Sequence, residues 1–254
     1  YLKIRNIPYI IDLDDAVYLN YKKKFLYKIL FDRKFKRILN WSNGIIVGNN
    51  FLKKEIKKFC KKQIIYLPTT VHVNISKFKK NHNFTVIWIG SPSTTKYLDD
   101  ISFVIEYLSL NEDVRFKIIG SKNSKILQNS NIEFLDWSIK EEKKELYSSS
   151  LGIMPLRNTE WEKGKCGYKL LQYMSCSLPV IASPVGVNKK IVQKGLTGYF
   201  ANSQKDWIDY ILKIKKDNKL GKKLGKNGKK KLLKDFELKK FSKDYVNFIK
   251  ANIV

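Results

Sequence analysis

The chain has 254 residues, of which 43% are hydrophobic, so it is long enough for one large domain or two small ones around a buried core. Its 50 Lys and Arg residues exceed its 23 Asp and Glu residues, and the net charge of +27 favours an anionic partner: a nucleic acid, an anionic membrane face or a phosphorylated substrate. The 3 cysteines show no metal-like pairing and no apolar run approaches transmembrane length, which argues against a disulfide scaffold, a zinc site and a membrane-spanning segment.

The N-terminal part, residues 1–75, contains few strands. Its apolar pattern predicts strands at 9–11, 44–47 and 64–67, and helices at 21–41 and 49–59, the second capped by Asn49 or Asn50. Three strands are too few for a complete doubly wound domain. Because the chain also enters a strand almost at once, without the features of a signal peptide, we expect an incomplete, N-terminally truncated Rossmann-like domain here.

Strands and helices alternate regularly in residues 76–236, after an aperiodic stretch at 68–83 that is the predicted linker. Strands are predicted at 84–89, 114–119, 132–135, 151–154, 180–182 and 195–200, and helices at 95–108, 124–129, 139–148, 168–174, 204–215 and 219–234. This alternation predicts an α/β fold with a doubly wound parallel sheet, whose ligands bind at the carboxyl ends of the strands. A last helix, within 237–254, is expected to return to the N-terminal part.

The most informative stretch, residues 150–192, reads as a strand, a polar loop, a helix and a second strand. The loop carries glycines directly before the helix that begins at Tyr168, so backbone N–H groups and the positive end of the helix dipole favour an anion there. Lys165 and Lys169 would add two mobile cations, which suit a bound diphosphate but oppose the helix dipole. The alternative is that a chain this rich in lysine places lysines everywhere.

A second stretch, residues 89–98, leaves a strand and turns into a helix through small hydroxyl residues. Backbone N–H groups and hydroxyls after Gly90, beginning with Ser91, can bind phosphate, and Thr94 or Thr95 can cap the helix. The alternative is an ordinary capped turn between a strand and a helix. Together with the first stretch, this turn favours phosphate binding.

Both stretches resemble the retaining GT-B glycosyltransferases called glycosyl transferases group 1. The matching residues are Gln172-Tyr173-Met174, Leu178-Pro179-Val180-Ile181-Ala182-Ser183 and Gly186, and the pair Gly90 and Lys96, which has the spacing of the family's diphosphate-binding turn, with Ser91 in place of an Arg. The resemblance implies two Rossmann-like domains, a nucleotide-sugar donor, a glycan or lipid-linked acceptor, and neither cofactor nor metal ion.

The resemblance also assigns roles to residues, and two expected glutamates are replaced. Gln172 stands where the family has the Glu that holds the ribose hydroxyls, so Gln172→Glu is expected to preserve or tighten nucleotide binding if Gln172 lies on the ribose. Gly164 stands where the family has the Glu that contacts the donor sugar. Glu160 or Glu162 could reach into the site in its place.

Three acidic residues and one tryptophan complete the candidates. Asp12 and Asp14 form an Asp-x-Asp pattern that resembles the metal-binding motif of the GT-A architecture, and a hard divalent cation would suit such carboxylates. Because Asp12, Asp14 and Asp15 lie outside the donor-like half, we expect them to face the acceptor, with a helix-capping acid cluster as the alternative. Trp137 follows a strand and could edge a base pocket, or could belong to the core.

The expected function is sugar transfer with retention, in cell-envelope polysaccharide or lipopolysaccharide synthesis. Lys96, with Lys165 or Lys169, would stabilise the charge that grows on the diphosphate, which itself takes the acceptor proton. The basic helix at 21–41 and the net charge predict peripheral binding to the cytoplasmic face of an anionic membrane, and no specific nucleic acid. The alternative is a non-catalytic basic remnant of the fold that binds nucleic acid or membrane.

Overall fold

The structure is a computed structural model that describes residues 2–19, 25–73, 81–121 and 124–253. Its strands are β1 (Ile10–Leu13), β2 (Gly44–Val47), β3 (Ile64–Tyr66), β4 (Thr85–Ile89), β5 (Arg115–Ile119), β6 (Ile132–Leu135), β7 (Leu151–Met154), β8 (Val180–Ala182) and β9 (Gly198–Phe200). Its α-helices are α1 (Phe25–Trp41), α2 (Asn50–Ile56), α3 (Lys96–Asp99), α4 (Ser102–Asn111), α5 (Ile139–Ser148), α6 (Glu160–Lys163), α7 (Tyr168–Ser175), α8 (Asn188–Ile191), α9 (Gln204–Lys216), α10 (Asn218–Asp235) and α11 (Leu238–Ile253).

The chain forms two compact units, and each unit is assembled from separate stretches of the sequence. Unit 1 contains Tyr1–Thr70, Asn158–Cys166 and Phe236–Val254, and unit 2 contains Val71–Arg157 and Gly167–Asp235. The polar loop before α7 is therefore divided between the units. Residues 158–166 of this loop belong to unit 1, and the residues before and after them, with α7, belong to unit 2.

Unit 1 is built on a parallel three-stranded sheet in the order β1-β2-β3. One face carries a core that includes Leu39, Val47 and Leu52, from α1, β2 and α2. On the other face Ile46 of β2 packs with Phe248 of α11. The C-terminal helix thus covers a sheet face that would otherwise expose apolar side chains.

Unit 2 is a doubly wound sheet of six parallel strands in the order β6-β5-β4-β7-β8-β9. The central strands β4, β7 and β8 are buried along their whole length, which explains their continuous apolar runs. The strand order reverses between β4 and β7, which pair through Val86 and Leu151. Ligands of such sheets bind at this reversal, beyond the carboxyl ends of the strands.

The helix predicted at 124–129 is absent. Side chains from neighbouring helices bind the backbone of this segment: Asp99 Oδ1 accepts from Lys125 N at 2.9 Å, and Glu106 Oε1 accepts from Leu127 N at 3.0 Å. These bonds satisfy the backbone amides without a helical turn. The segment is therefore irregular and lies against α3 and α4.

The helix predicted at 95–108 is interrupted, and Thr95, one of its two predicted caps, occupies the N-cap position of its first part. It forms the two helices α3 and α4, separated at Ile101, whose φ of −121° and ψ of 22° are not helical. Thr95 makes no capping bond, and its Oγ1 instead shares a 2.9 Å hydrogen bond with Ser121 Oγ. The helix predicted at 21–41 is present from Phe25 onward, and its first four predicted residues lie outside the described residues.

Candidate functional site

Two glycines lie at the carboxyl ends of the adjacent strands β4 and β5, and β4 is one of the two strands at the reversal point of unit 2. A Cβ on Gly90, after β4, would lie 2.0 Å from a ring atom of Trp88. Gly120, after β5, has φ +75°, and a Cβ there would lie 2.3 Å from the carbonyl oxygen of Gly90 and 3.5 Å from Cβ of Trp137. Glycine is therefore required at both positions for backbone and rings to approach this closely.

The turn after β4 is held by its own hydroxyl groups. Thr94 Oγ1 accepts a hydrogen bond from Ser91 N at 3.0 Å and donates to Ser91 O at 2.8 Å, while the hydroxyls of Ser91 and Ser93 share a 2.9 Å bond. The amide of Gly90 donates to the end of β5. The conformation of the turn is therefore fixed by hydrogen bonds within the protein, and Ser91 and Ser93 are exposed at its surface.

Lys96, the first residue of α3, is exposed beside this turn. Its ammonium lies 5.1 Å from the ring centroid of Tyr97, which is buried. The lysine side chain thus lies against a buried aromatic ring, while its own surface remains exposed to solvent.

The loop after β7 is anchored in unit 2 by polar contacts. Ser183 Oγ, at the end of β8, accepts a hydrogen bond from Leu156 N at 3.0 Å. The guanidinium of Arg157 binds both carboxylate oxygens of Asp100 at 2.6 Å. This bidentate pair ties the loop to the residues that follow α3.

Helix α7 starts at a glycine that no other residue could replace without strain. Gly167 has φ +75°, and a Cβ on it would lie 2.3 Å from Ile191 Cδ1. The first turn of α7 carries Lys169, whose ammonium lies 4.5 Å from the ring centroid of Trp88. The N-terminus of α7 and the end of β4 therefore meet through this cation and ring.

The second turn of α7 carries Gln172, which is 7% exposed. Its Nε2 donates to Glu142 Oε1 at 2.6 Å, and Trp137 Nε1 donates to Glu142 Oε2 at 2.6 Å. Glu142 lies in the first turn of α5, whose N-cap is Ser138. One carboxylate thus joins the loop after β6 to α7.

These residues follow one another as neighbours beside the carboxyl ends of β4 and β5. The neighbours, in order, are Lys169, Trp88, Gly90, Gly120, Trp137, Glu142 and Gln172, and Gln172 lies on the same helix as Lys169. Four of them were predicted from the sequence as donor-binding residues. Glu142 was missed, because nothing in its local sequence distinguishes it from the other acids of α5.

In unit 1, the loop at residues 158–166 is bound to the ends of β1 and β2. Asn49 caps α2 by accepting from Leu52 N at 2.8 Å, and its Nδ2 donates to Gly164 O at 2.7 Å. The thiol of Cys166 donates to Asp14 O at 3.0 Å. Burial raises the pKa of the Cys166 thiol to about 12, so it remains a neutral donor at neutral pH.

The glutamate expected at position 164 has no room there. A Cβ on Gly164 would lie 2.6 Å from Cβ of Ala16 and 3.0 Å from its amide nitrogen. Glu160 is exposed on α6, and Glu162 is buried and accepts a hydrogen bond from Thr159 Oγ1. Close packing against Ala16 therefore explains why a glycine occupies this position.

The remaining predicted residues of unit 1 lie together. Lys165 Nζ is 3.5 Å from Asp15 Oδ1 and 5.8 Å from the ring centroid of Trp161. Partial burial and the charge of Asp14 raise the pKa of the Asp12 carboxyl, opposed by a hydrogen bond from the backbone N–H of Leu13. Within residues 2–19, 25–73, 81–121 and 124–253, no three or more His, Cys, Asp or Glu side chains cluster as metal ligands would.

Comparison with known proteins identifies the family. Residues 72–231 match the model of the family described as glycosyl transferases group 1. The chain belongs to this family. An uncharacterized glycosyltransferase of Methanocaldococcus jannaschii is 29% identical over 237 residues, covering 88% of this chain and 63% of that protein. The chain thus spans less than two thirds of the length of this relative.

Solved structures show the same fold. Anabaena HepE in complex with UDP and glucose aligns with a TM-score of 0.77 at 12% identity, covering 98% of this chain and 73% of that one. A mutant of S. aureus TarM in complex with Fondaparinux, alpha-GlcNAc-glycerol and UDP aligns with a TM-score of 0.69 at 15% identity, covering 86% of this chain and 46% of that one. The predicted fold class, an α/β fold of the GT-B glycosyltransferases, is confirmed. In the part of the chain that the structure describes, no helix has the length and apolar character to cross a bilayer.

Proposed function

We propose that the protein transfers a sugar from a nucleotide-sugar donor to a glycan or lipid-linked acceptor, with retention of configuration. The observation that carries this proposal is the set of contacts in unit 2 that joins Lys169 to Trp88 of β4, and Trp137 and Gln172 to Glu142. They place a cation, an exposed tryptophan and a carboxylate near the carboxyl end of β4, one of the two strands at the reversal of a doubly wound sheet. This combination suits the three parts of a nucleoside diphosphate: phosphate, base and ribose.

The donor diphosphate would lie between the turn after β4 and the N-terminus of α7. Lys169 and Lys96 would neutralise the charge that grows on the diphosphate as the glycosidic bond breaks, and the first-turn amides of α7 would add to this field. The acceptor hydroxyl would attack on the leaving-group side, and the diphosphate would take its proton. No metal ion is needed in this scheme, because the protein supplies the positive charge.

Unit 1 would supply the acceptor side. Asp12, Asp14 and Asp15 cluster where β1 ends, and Lys165 is paired with Asp15 in the same unit. We place the reaction in cell-envelope polysaccharide or lipopolysaccharide synthesis, at the cytoplasmic face of the membrane, on the basis of the net charge of +27 and the basic helix α1.

The deciding experiment measures binding and turnover with a panel of nucleotide sugars. The protein is titrated calorimetrically with UDP-, GDP- and ADP-sugars, and the anomeric configuration of any product is read by NMR. Micromolar binding with turnover to a product of retained configuration supports the proposal. Binding without turnover favours a non-catalytic module, an inverted product removes the retaining mechanism, and absence of binding to the whole panel overturns the assignment.

A further inference from the structure

We propose that Glu142 is the carboxylate that binds the ribose hydroxyls of the donor nucleotide, in place of an acid on α7. The inference rests on the proposed function and assigns a residue from a different element to this role. It is carried by the two 2.6 Å hydrogen bonds that Glu142 accepts, one from Gln172 and one from Trp137.

Glu142 is held in a fixed position but keeps capacity for a ligand. A carboxylate offers about four acceptor sites on its two oxygens, and the two bonds to Gln172 and Trp137 use one on each oxygen. The side chain of Glu142 is only partly buried. Two neighbouring hydroxyl groups, such as the 2′ and 3′ hydroxyls of a ribose, match the two acceptor sites that remain.

Aromatic surface flanks the carboxylate. The side chain of Trp137 is 55% exposed although its indole N–H is bound to Glu142. Tyr168, at the start of α7, is 51% exposed, and partial burial together with the negative charge of Glu142 raises the pKa of its hydroxyl. A base that stacks on such a ring gains affinity without sequence-specific contacts, so a nucleoside fits this surface.

The arrangement explains why position 172 can be a glutamine. An amide at 172 donates to Glu142, whereas a carboxylate there would lie next to a second carboxylate at hydrogen-bonding distance and repel it. The two positions therefore form a donor and acceptor pair in which one member must be an amide. This reverses the expectation from the sequence alone: Gln172→Glu by itself should weaken nucleotide binding.

The pair can be exchanged, which gives a sharp test. Calorimetry first identifies which of UDP, GDP, ADP and CDP binds to the protein, and each is compared with its 2′-deoxy counterpart. Glu142→Gln should weaken ribonucleotide binding about ten- to a hundredfold and remove the preference over the deoxynucleotide, because a charge-assisted bond to the diol is lost. The double variant Glu142→Gln/Gln172→Glu keeps one amide and one acid, and should restore both affinity and preference.

Glu141→Gln is the matched control. It removes the same charge from the neighbouring position of α5, where Glu141 pairs with Lys144 at 2.7 Å, and should leave the preference for ribose unchanged. A purely structural role for Glu142 would weaken both nucleotides equally and leave their ratio unchanged, which overturns the inference. If the double variant does not restore the preference for the ribonucleotide, the inference about Glu142 is also overturned. If no nucleoside diphosphate binds to the unmodified protein, the proposed function fails together with it.

Discussion

The ammonium of Lys169 lies 4.5 Å from the ring centroid of Trp88, a side chain that is 2% exposed at the end of β4. A lysine in the first turn of a helix opposes the helix dipole, which costs a few tenths of a kcal/mol up to about 1 kcal/mol. The indole ring offsets this by roughly 0.5–2 kcal/mol. The ring therefore helps to hold a cation at the N-terminus of α7.

Replacing Lys169 tests this cation. Lys169→Ala should weaken nucleoside diphosphate binding about ten- to a hundredfold, because a charge-assisted contact contributes roughly 1.5–3 kcal/mol. Lys169→Arg should rescue binding only in part, since a planar fork replaces a point charge. Calorimetric titration measures both, with Lys222→Ala on the exposed face of α10 as the control for net charge. An equal loss in the control would mean that overall charge, and not this residue, binds the nucleotide.

Lys96 should act more on the transition state than on the bound donor. Lys96→Ala is expected to weaken nucleoside diphosphate binding about ten- to a hundredfold and to lower turnover further, because the leaving group carries more charge in the transition state. Steady-state kinetics with a donor that the wild type turns over separates the two effects. Unchanged kcat and unchanged affinity in Lys96→Ala would remove Lys96 from the diphosphate site.

The strands were predictable because their apolar runs are continuous. In β4, β7 and β8 every residue is buried, and strand-ending residues such as Gly90 after β4 and Pro155 after β7 mark where the apolar runs stop. The candidate site followed from the same logic, because residues directly after parallel strands meet at one edge of a sheet. Gly90 and Trp137 were predicted in this way, Lys169 was predicted from the glycine-bearing loop before α7, and Gln172 was assigned through the resemblance to the family.

The failures have one physical cause, which is hydrogen bonding between residues distant in sequence. Asp99 binds the backbone of Lys125, 26 positions later, so a segment with helical spacing is not helical. Glu142 meets Gln172 across 30 positions, and neither residue type is unusual on a helix surface. Patterns of apolar spacing report on burial along one element, and they do not report on which side chain reaches another element.

Two glycines of α10 should respond unequally to the same substitution. A Cβ on Gly225 would lie 1.9 Å from the carbonyl oxygen of Ser177, a backbone atom in the turn after α7, whereas a Cβ on Gly221 would meet Ile214 at 3.2 Å. Gly225→Ala should lower the free energy of unfolding by roughly 1–3 kcal/mol through overpacking. Gly221→Ala should change it by less, because helix propensity offsets the crowding by about 1 kcal/mol. Urea denaturation measures both, and equal effects would contradict the close approach of α10 to this turn.

Helix α1 should carry membrane binding if the protein is peripheral. Its exposed side chains include Leu30 and Trp41 among the basic residues Arg33, Lys34, Lys36 and Arg37, while Phe35 and Leu39 are buried. Basic residues near an anionic surface contribute about 1 kcal/mol each. Flotation with vesicles that contain phosphatidylglycerol should show binding that weakens with salt.

The matched comparison separates α1 from overall charge. A double variant of α1, Lys34→Glu and Arg37→Glu, should abolish vesicle binding. A double variant of α10 with the same change in charge, Lys222→Glu and Lys226→Glu, should reduce vesicle binding less. Equal binding to neutral vesicles would contradict the electrostatic model. Tighter binding to duplex DNA than to vesicles at physiological salt would favour the nucleic-acid alternative.

The last prediction concerns Glu145, which is 1% exposed in α5 and lies 2.5 Å from Lys117 Nζ and 3.1 Å from Lys144 Nζ. Burial alone raises the pKa of this carboxyl, but the hydrogen bonds and charges of the two lysines outweigh it, so the pKa in the folded protein is lowered from 4.5. The ionised carboxylate therefore stabilises the fold at pH values above 4.5, and this contribution is lost as the pH falls through the lowered pKa.

Glu145→Gln should lower the free energy of unfolding at pH 7 by roughly 1–3 kcal/mol, because Lys117 loses the closer and more buried of its two charged partners. Denaturant titrations repeated at decreasing pH should show the variant and the wild type converging as the pH falls below 4.5 and through the lowered pKa of Glu145, where the wild-type carboxyl becomes protonated as well. Glu133→Gln is the control, because Glu133 is exposed and lies 3.4 Å from the same lysine, where a surface pair contributes about 0–1 kcal/mol. A gap between Glu145→Gln and the wild type that stays constant down to acid pH would mean that packing of the side chain, and not its charge, accounts for the stabilisation.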